Sequence, residues 1–207
     1  MSATGREIFV VADTVWNENC YVVADHQVGS ALLIDPGGAT ESALQWVSAQ
    51  HLTVAGIALT HGHPDHLSGL PDVLQATSGA KVFLHSADWA LAQRTLEWEE
   101  ELFRAVVSPL ETLPSIDLPA ACLDVVPTPG HTEGSVCFRL GATLFSGDTL
   151  FHRSVGRTDL PGGDWDLLVE SVRHIYSVAS SCAALPGHGE PTTVGEESRL
   201  NPFIRLG

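Results

Sequence analysis

Apolar residues recur along the chain in short blocks whose period shifts between two and about 3.6, and the shifts mark out the elements. Residues 8–12, 20–24 and 31–34 read as strands, the last closing at the turn Asp35-Pro36-Gly37-Gly38. Thr40 then precedes a helical pattern on Leu44, Trp46 and Val47, and residues 54–59 form a buried-looking strand that delivers the chain to His61. Leu67, Leu70, Val73 and Leu74 fall at helical spacing over residues 66–76, with Gly79 as the stop. A strand at 81–84 and helices at 87–94 and 96–105 follow, the second carrying Glu97, Glu99, Glu100 and Glu101 as a solvated face. Strands at 123–126, 135–140 and 143–145, a helix at 164–178, a strand at 182–185 and a short terminal helix complete the pattern. Two strand-rich halves, each followed by helices, predict an α/β protein with two sheets face to face and helices outside, a four-layer αββα sandwich. The 207 residues are expected to make one domain, residues 1–207.

Charge and composition narrow the classes of function. The formal net charge is −15, with Lys81 and nine arginines as the only fixed cations, so no basic surface for nucleic acid is expected. The uncharged run between Ser42 and Pro64 is broken by Gln45, Gln50, His51, His61 and His63, and its period changes part-way; it reads as helix then strand, with no membrane span. Glu7 and Asp13 interrupt the N-terminal apolar stretch, which argues against a signal peptide. Cys20, Cys122, Cys137 and Cys182 are far apart and form no C-x-x-C pair. Reduced thiols in a cytoplasmic protein are therefore expected. The chain holds no G-x-S-x-G elbow, no P-loop and no G-x-G-x-x-G fingerprint.

The chemistry concentrates in Thr60-His61-Gly62-His63-Pro64-Asp65-His66, directly after a predicted strand end. Residues two apart in an extended segment point the same way, so His61 and His63 can share one ion. Asp65 and His66, opening the next helix, can turn toward a second. Imidazole and carboxylate ligands suit zinc, iron or manganese. Downstream, Thr128-Pro129-Gly130-His131-Thr132, Phe145-Ser146-Gly147-Asp148-Thr149 and Leu185-Pro186-Gly187-His188-Gly189 each set one potential ligand beside a glycine at a predicted strand end. A lone histidine is ordinarily structural or exposed, as expected for His26, His51, His85 and His174, but this grouping is not a set of lone residues.

Together these four segments resemble the motifs of the metallo-β-lactamase superfamily, over nearly the whole chain. The resemblance implies that His61, His63 and His131 hold a first divalent ion, that Asp65, His66 and His188 hold a second, and that Asp148 bridges them. Zinc is the metal first expected, with iron or manganese as alternatives. Two close cations lower the pKa of a shared water from ~15.7 to roughly neutral and polarise a carbonyl oxygen, and Asp65 can orient that water and take its proton. The segments Ser146–Phe151, written Ser146-Gly147-Asp148-Thr149-Leu150-Phe151, then Gly156-Arg157-Thr158-Asp159 and residues 196–202 resemble the glyoxalase II-like hydrolases, which act on thioesters such as S-lactoylglutathione. With the sequence ending at Gly207, the resemblance is to the short, single-domain branch, without the helical domain that binds glutathione. Arg157 is the candidate to meet a substrate carboxylate through its planar guanidinium, weighed equally against a salt bridge to Asp159. His152 reads as a surface residue sooner than a pocket residue. Two other functions share these residues: a persulfide dioxygenase with one iron on His61, His131 and Asp148, and a metal-holding sensor without catalysis. Among partners, the resemblance implies a small-molecule thioester.

Overall fold

The computed structural model describes residues 5–77, 79–111 and 113–206. β1 (Arg6–Ala12), β2 (Asn19–Asp25) and β3 (Ser30–Ile34) form an antiparallel meander, and β4 (Thr53–Ala58), β5 (Lys81–Leu84) and β6 (Val107–Pro109) extend it in parallel, giving one sheet in sequential order. β7 (Ser115–Leu118), β8 (Ala121–Pro127), β9 (Val136–Leu140) and β10 (Thr143–Gly147) form a second meander. A two-stranded hairpin, β11 (Leu150–Phe151) and β12 (Ser154–Val155), stands apart. β13 (Ala183–Pro186) then joins β10 in parallel, and β14 (Thr192–Thr193) closes that edge, so the second sheet runs β14-β13-β10-β9-β8-β7.

Strand alternation distributes side chains between separate cores. On β2 and β3, Tyr21, Val23, Leu32 and Ile34 face the space between the sheets, where they meet Phe138 of β9 and Phe145 of β10. Cys20, Val22, Ala31 and Leu33, one residue out of phase, face outward onto α1 (Thr40–Ala49) and α3 (Leu70–Ala76), the latter following the short α2 (Pro64–Leu67). Behind the other sheet, Cys137, Leu144 and Ala184 pack on Leu168, Val172 and Ile175 of a long helix. In chain order the remaining helices are α4 (Trp89–Leu96), α5 (Glu100–Val106), that long helix α6 (Trp165–Val178) and α7 (Val194–Leu200). A strand buried on both faces has no polar side to show, which is why β2 and β3 read as nearly continuous apolar runs. The layers are helix, sheet, sheet, helix, as the sequence predicts. Among the described residues no helix is long and apolar enough to cross a membrane.

Two predicted helices come out differently. The expected helix over 66–76 divides at Ser68 and Gly69 into α2 and α3. Pro71 cannot donate to a carbonyl of the preceding turn, and its ring would crowd the Leu67 carbonyl if α2 continued. Gly69 makes the break tight, because a Cβ there would strike Thr40 Oγ1 and the Gly37 carbonyl. The helix expected from 96 begins only at Glu100, since Glu97 ends α4 in the left-handed region with φ +54°. β6 and β7 were not expected: β6 is three residues long, and β7 mixes the polar Ser115 and Asp117 with Ile116 and Leu118 where β5 runs Val82-Phe83-Leu84 without a break. The hairpin and β14 were not expected either.

Strands β4, β8, β10 and β13 all end at one rim of the sandwich, and each is followed by one of the histidine- or aspartate-bearing loops. Two sheets thus aim four loops at a common point.

Candidate metal centre

At that rim the structure brings His61, His63, Asp65, His66, His131, Asp148 and His188 together in three overlapping groups. They are His61, His63 and His131; His61, His66 and Asp148; and Asp65, His66 and His188, with the candidate ligand atoms of each group within 4.8 Å of one another. Asp148 lies between the two outer groups. Its Oδ2 is 3.5 Å from His131 Nε2 and 3.6 Å from His188 Nε2, and its Oδ1 is 3.3 Å from His66 Nε2. Asp65 Oδ2 faces His188 Nε2 at 3.1 Å. A bulge between β10 and β13 and the positive φ of Gly147, +47°, throw Asp148 out of its strand. Gly187 leaves room for it: a Cβ there would strike the Asp148 carboxylate and the His66 ring.

The outer nitrogens fix which ring nitrogens face the centre. A carbonyl can only accept, so His131 Nδ1–H donates to the Arg157 carbonyl at 2.8 Å, leaving Nε2 with its lone pair. His188 Nδ1–H likewise donates to the carbonyls of Trp16 and Asn17, each at 3.2 Å. Thr60 Oγ1 donates its single proton to Asp35 Oδ2 at 2.6 Å, and so must accept from His61 Nδ1–H at 3.1 Å. His66 Nδ1 lies 3.0 Å from the same Asp35 oxygen. His63 alone turns Nδ1 inward, 2.8 Å from His131 Nε2. Since that Nε2 carries a lone pair, the approach needs either an Nδ1–H of His63 donating to it or a metal ion held between the two lone pairs.

Sequence reasoning missed the supporting residues. Asp35 read only as part of a turn, yet it accepts from Thr60 N at 2.7 Å and braces two of the rings. Asp88, inside a predicted helix, is buried and accepts from Gly62 N at 2.9 Å, Gly134 N at 2.9 Å and Thr132 Oγ1 at 2.7 Å, tying the first histidine loop to the His131 loop. Asn19 and Tyr21 of β2 reach across to the last loop, Asn19 Nδ2 donating to Pro186 O at 3.0 Å and Gly189 O at 2.9 Å, and Tyr21 OH to Pro186 O at 2.7 Å. Glu18 is fully buried. Its one sequence signal was polarity, beside Asn19, at the mouth of an otherwise apolar strand.

Electrostatics fit a cationic occupant. Glu18, Asp35, Asp65 and Asp148 crowd one region, and burial, opposed by His66 and reinforced by the other carboxylates, pushes the Glu18 carboxyl up to about 9. Burial also opposes charge on Asp148, yet His66, His131 and His188 hold it down to about 2. His66 is disfavoured as a cation by burial and is nevertheless held well above the ordinary histidine range by Asp148 and Asp35. His61 goes the other way, lowered by burial and by the surrounding rings. His61 Nε2, Asp148 Oδ1 and both Glu18 oxygens are buried without a hydrogen-bond partner among the described residues. Native interiors rarely leave such atoms unpaired. An imidazole lone pair and a carboxylate oxygen aimed at one space are what a divalent ion accepts, so the residues present fit metal.

Beside the centre opens a cleft of about 480 Å³, lined by Asp65 and Asp148, by Trp16, Phe151 and Leu160, and by Arg157 among others. Arg157 reaches the cleft, but its guanidinium is engaged by Asp159, with bonds of 2.7 and 2.8 Å. Phe151 faces the cleft while its neighbour His152 is exposed and 4.0 Å from Glu190.

Fold and centre define a metal-binding α/β sandwich, and the family follows. The chain belongs to the metallo-beta-lactamase superfamily, whose family model matches residues 13–188. An uncharacterized protein of Mycobacterium tuberculosis is 39% identical over 207 residues, spanning 90% of this chain and 92% of that one. The hydroxyacylglutathione hydrolase GloC of Haemophilus influenzae is 29% identical over 218 residues, spanning 95% of this chain and 97% of its own. A protein solved in a di-iron-bound form superposes with a TM-score of 0.80 at 34% identity, over 95% of this chain and 100% of that one.

Proposed function

We propose that the protein is a metal-dependent hydrolase that cleaves a thioester of a small thiol, with S-lactoylglutathione as the reference compound. The observation that carries this reading is the place of Asp148 between two ligand groups, one oxygen toward His66 and the other toward His131 and His188. His61, His63 and His131 would hold one divalent ion, Asp65, His66 and His188 the other, and Asp148 both. So held, the pair supplies an acidified water and a Lewis-acid face for a carbonyl oxygen. Asp65, ionised and at the cleft, receives the proton given up by the attacking water. Asp35, Thr60 and the Arg157 carbonyl keep the rings in the tautomers this requires. A thiolate departs readily near neutral pH, so no strong acid is needed opposite Asp65.

The likeness to a hydroxyacylglutathione hydrolase supports the reaction class, and the di-iron relative supports a two-ion centre. Zinc is the metal we expect, with iron or manganese as alternatives. The four cysteines are free and Cys122 is exposed, which supports a reducing compartment, the cytoplasm.

The test loads the protein with zinc, iron or manganese in turn and assays hydrolysis of S-lactoylglutathione and of a thioester of an uncharged thiol, with persulfide-dependent oxygen consumption in parallel. Thioester turnover without oxygen uptake is expected. Oxygen uptake without thioester turnover would replace the reading with a persulfide dioxygenase, and neither activity would leave a metal-holding sensor.

A further inference from the structure

We propose that the cleft selects thioesters of an uncharged thiol carrying an apolar group, in preference to an anionic carrier such as glutathione. The inference rests on the thioesterase reading and adds to it which molecules are recognised.

Three features carry it. The walls are apolar: Trp16, Phe151, Val155 and Leu160 line the cleft, and Trp16 is 59% exposed, more than a tryptophan serving only as packing would be. Its loop is fixed at both ends. Asp13 Oδ2 accepts from the backbone N–H of Val15 and Trp16, while the Trp16 and Asn17 carbonyls hold His188. The indole is therefore presented from a rigid base directly beside the reacting centre, where an apolar acyl or thiol group would meet it.

The second feature is the state of the cations. Among the described residues that line the cleft, Arg157 is the one arginine or lysine, and Asp159 closes on it with two parallel bonds of 2.7 and 2.8 Å. Asp159 occupies the Nε–Nη2 edge of that guanidinium and neutralises its charge, so a substrate carboxylate must either displace Asp159 or take the remaining Nη1 side of a cation already paired. Arg153, on the hairpin turn that borders the cleft, is likewise committed, to Glu196 and Glu197, each at 2.6 Å. Neither arginine offers a free charge. The third feature is the chain's net charge of −15, which two bound divalent ions would offset only in part, so an anion approaches a protein of its own sign. Glutathione brings two carboxylates and a net negative charge into this setting; an uncharged thiol brings none.

The experiment measures calorimetric binding to the metal-loaded protein of two inert thioethers with the same S-benzyl group, S-benzylglutathione and S-benzyl-N-acetylcysteamine. The uncharged thioether is expected to bind at least about tenfold more tightly, with little dependence on salt. Asp159→Asn, which frees Arg157, should tighten the glutathione thioether by about tenfold and leave the uncharged one unchanged. Trp16→Ala should weaken the uncharged one by about tenfold. Tighter binding of the glutathione thioether to the unaltered protein, lost in Arg157→Gln, would overturn the proposal, as would binding of neither compound. Failure of the thioesterase reading shows separately, as metal-loaded protein that binds these thioethers yet leaves the corresponding thioesters intact.

Discussion

Asp35 illustrates how much rests on single residues around the centre. It sits at φ +49° after β3, accepts two hydrogen bonds from Thr60, and faces His66 Nδ1 at 3.0 Å. One buried carboxylate thereby sets the orientation of two imidazoles, one from each of the two outer groups. The same residues make metal binding depend on protons. Burial alone would keep His66 and His188 neutral, but Asp148 and Asp35 raise the first, and Asp65 and Asp148 raise the second, above the ordinary histidine range. In the metal-free protein these rings therefore keep their protons to higher pH than an exposed histidine does. A metal ion must displace those protons, so affinity should rise with pH and fall as the protein is acidified. Calorimetric zinc titrations near pH 7 in buffers of different ionisation enthalpy should show net proton release. Heats that do not change with the buffer would contradict this account of the rings.

At the scale of elements, the β11–β12 hairpin forms one wall of the cleft and is pinned from α7. Glu197, fully buried, takes Arg153 through both its backbone N–H and its guanidinium, and it also accepts from Thr192 Oγ1 at 2.7 Å and Asn201 Nδ2 at 3.1 Å. Asn201 Nδ2 in turn donates to the Ser154 carbonyl at 3.0 Å. The Glu196-to-Asn201 stretch that resembled the thiol-handling families thus shapes the cleft from behind. Glu197→Ala would strand the buried Thr192 and Asn201 groups and should cost about 3 kcal/mol, a Tm decrease of roughly 6–12 °C. Thermal unfolding would check this; an unchanged Tm would show that the pin is dispensable.

These elements also show what the sequence could tell. Strands β2, β3, β5 and β10 and helix α6 were legible from their apolar residues, and the structure adds Asp164 as the cap of α6. The seven candidate ligands were legible as a group because five stand beside a glycine after a strand end and Asp65 and His66 follow in the same first run, while their division between two ions comes from the family resemblance. Asp35, Asp88 and Glu18 were not, since a carboxylate acting through a hydrogen bond leaves no spacing signature. The break between α2 and α3 was signalled by Pro71, but the regular apolar spacing across it concealed the signal. Arg157 stayed open because its partner, Asp159, lies two residues away and competes with any substrate, and only geometry could show the pair formed.

For the whole molecule, the arrangement has a clear logic. Two sheets packed on Phe138, Phe145 and Leu32 hold a rim that neither could hold alone: the His61 loop leaves β4 in one sheet, while the His131, Asp148 and His188 loops leave β8, β10 and β13 in the other. Asn19 and Tyr21 then cross from the first sheet to the His188 loop, and Asp88 crosses to the His131 loop. The centre is therefore as rigid as the contact between the sheets. Metal analysis of the desalted, metal-loaded protein is the most direct test, because a two-ion centre is what the hydrolase reading requires. Close to two ions per chain is the expected result, and a single ion per chain at saturation would contradict it.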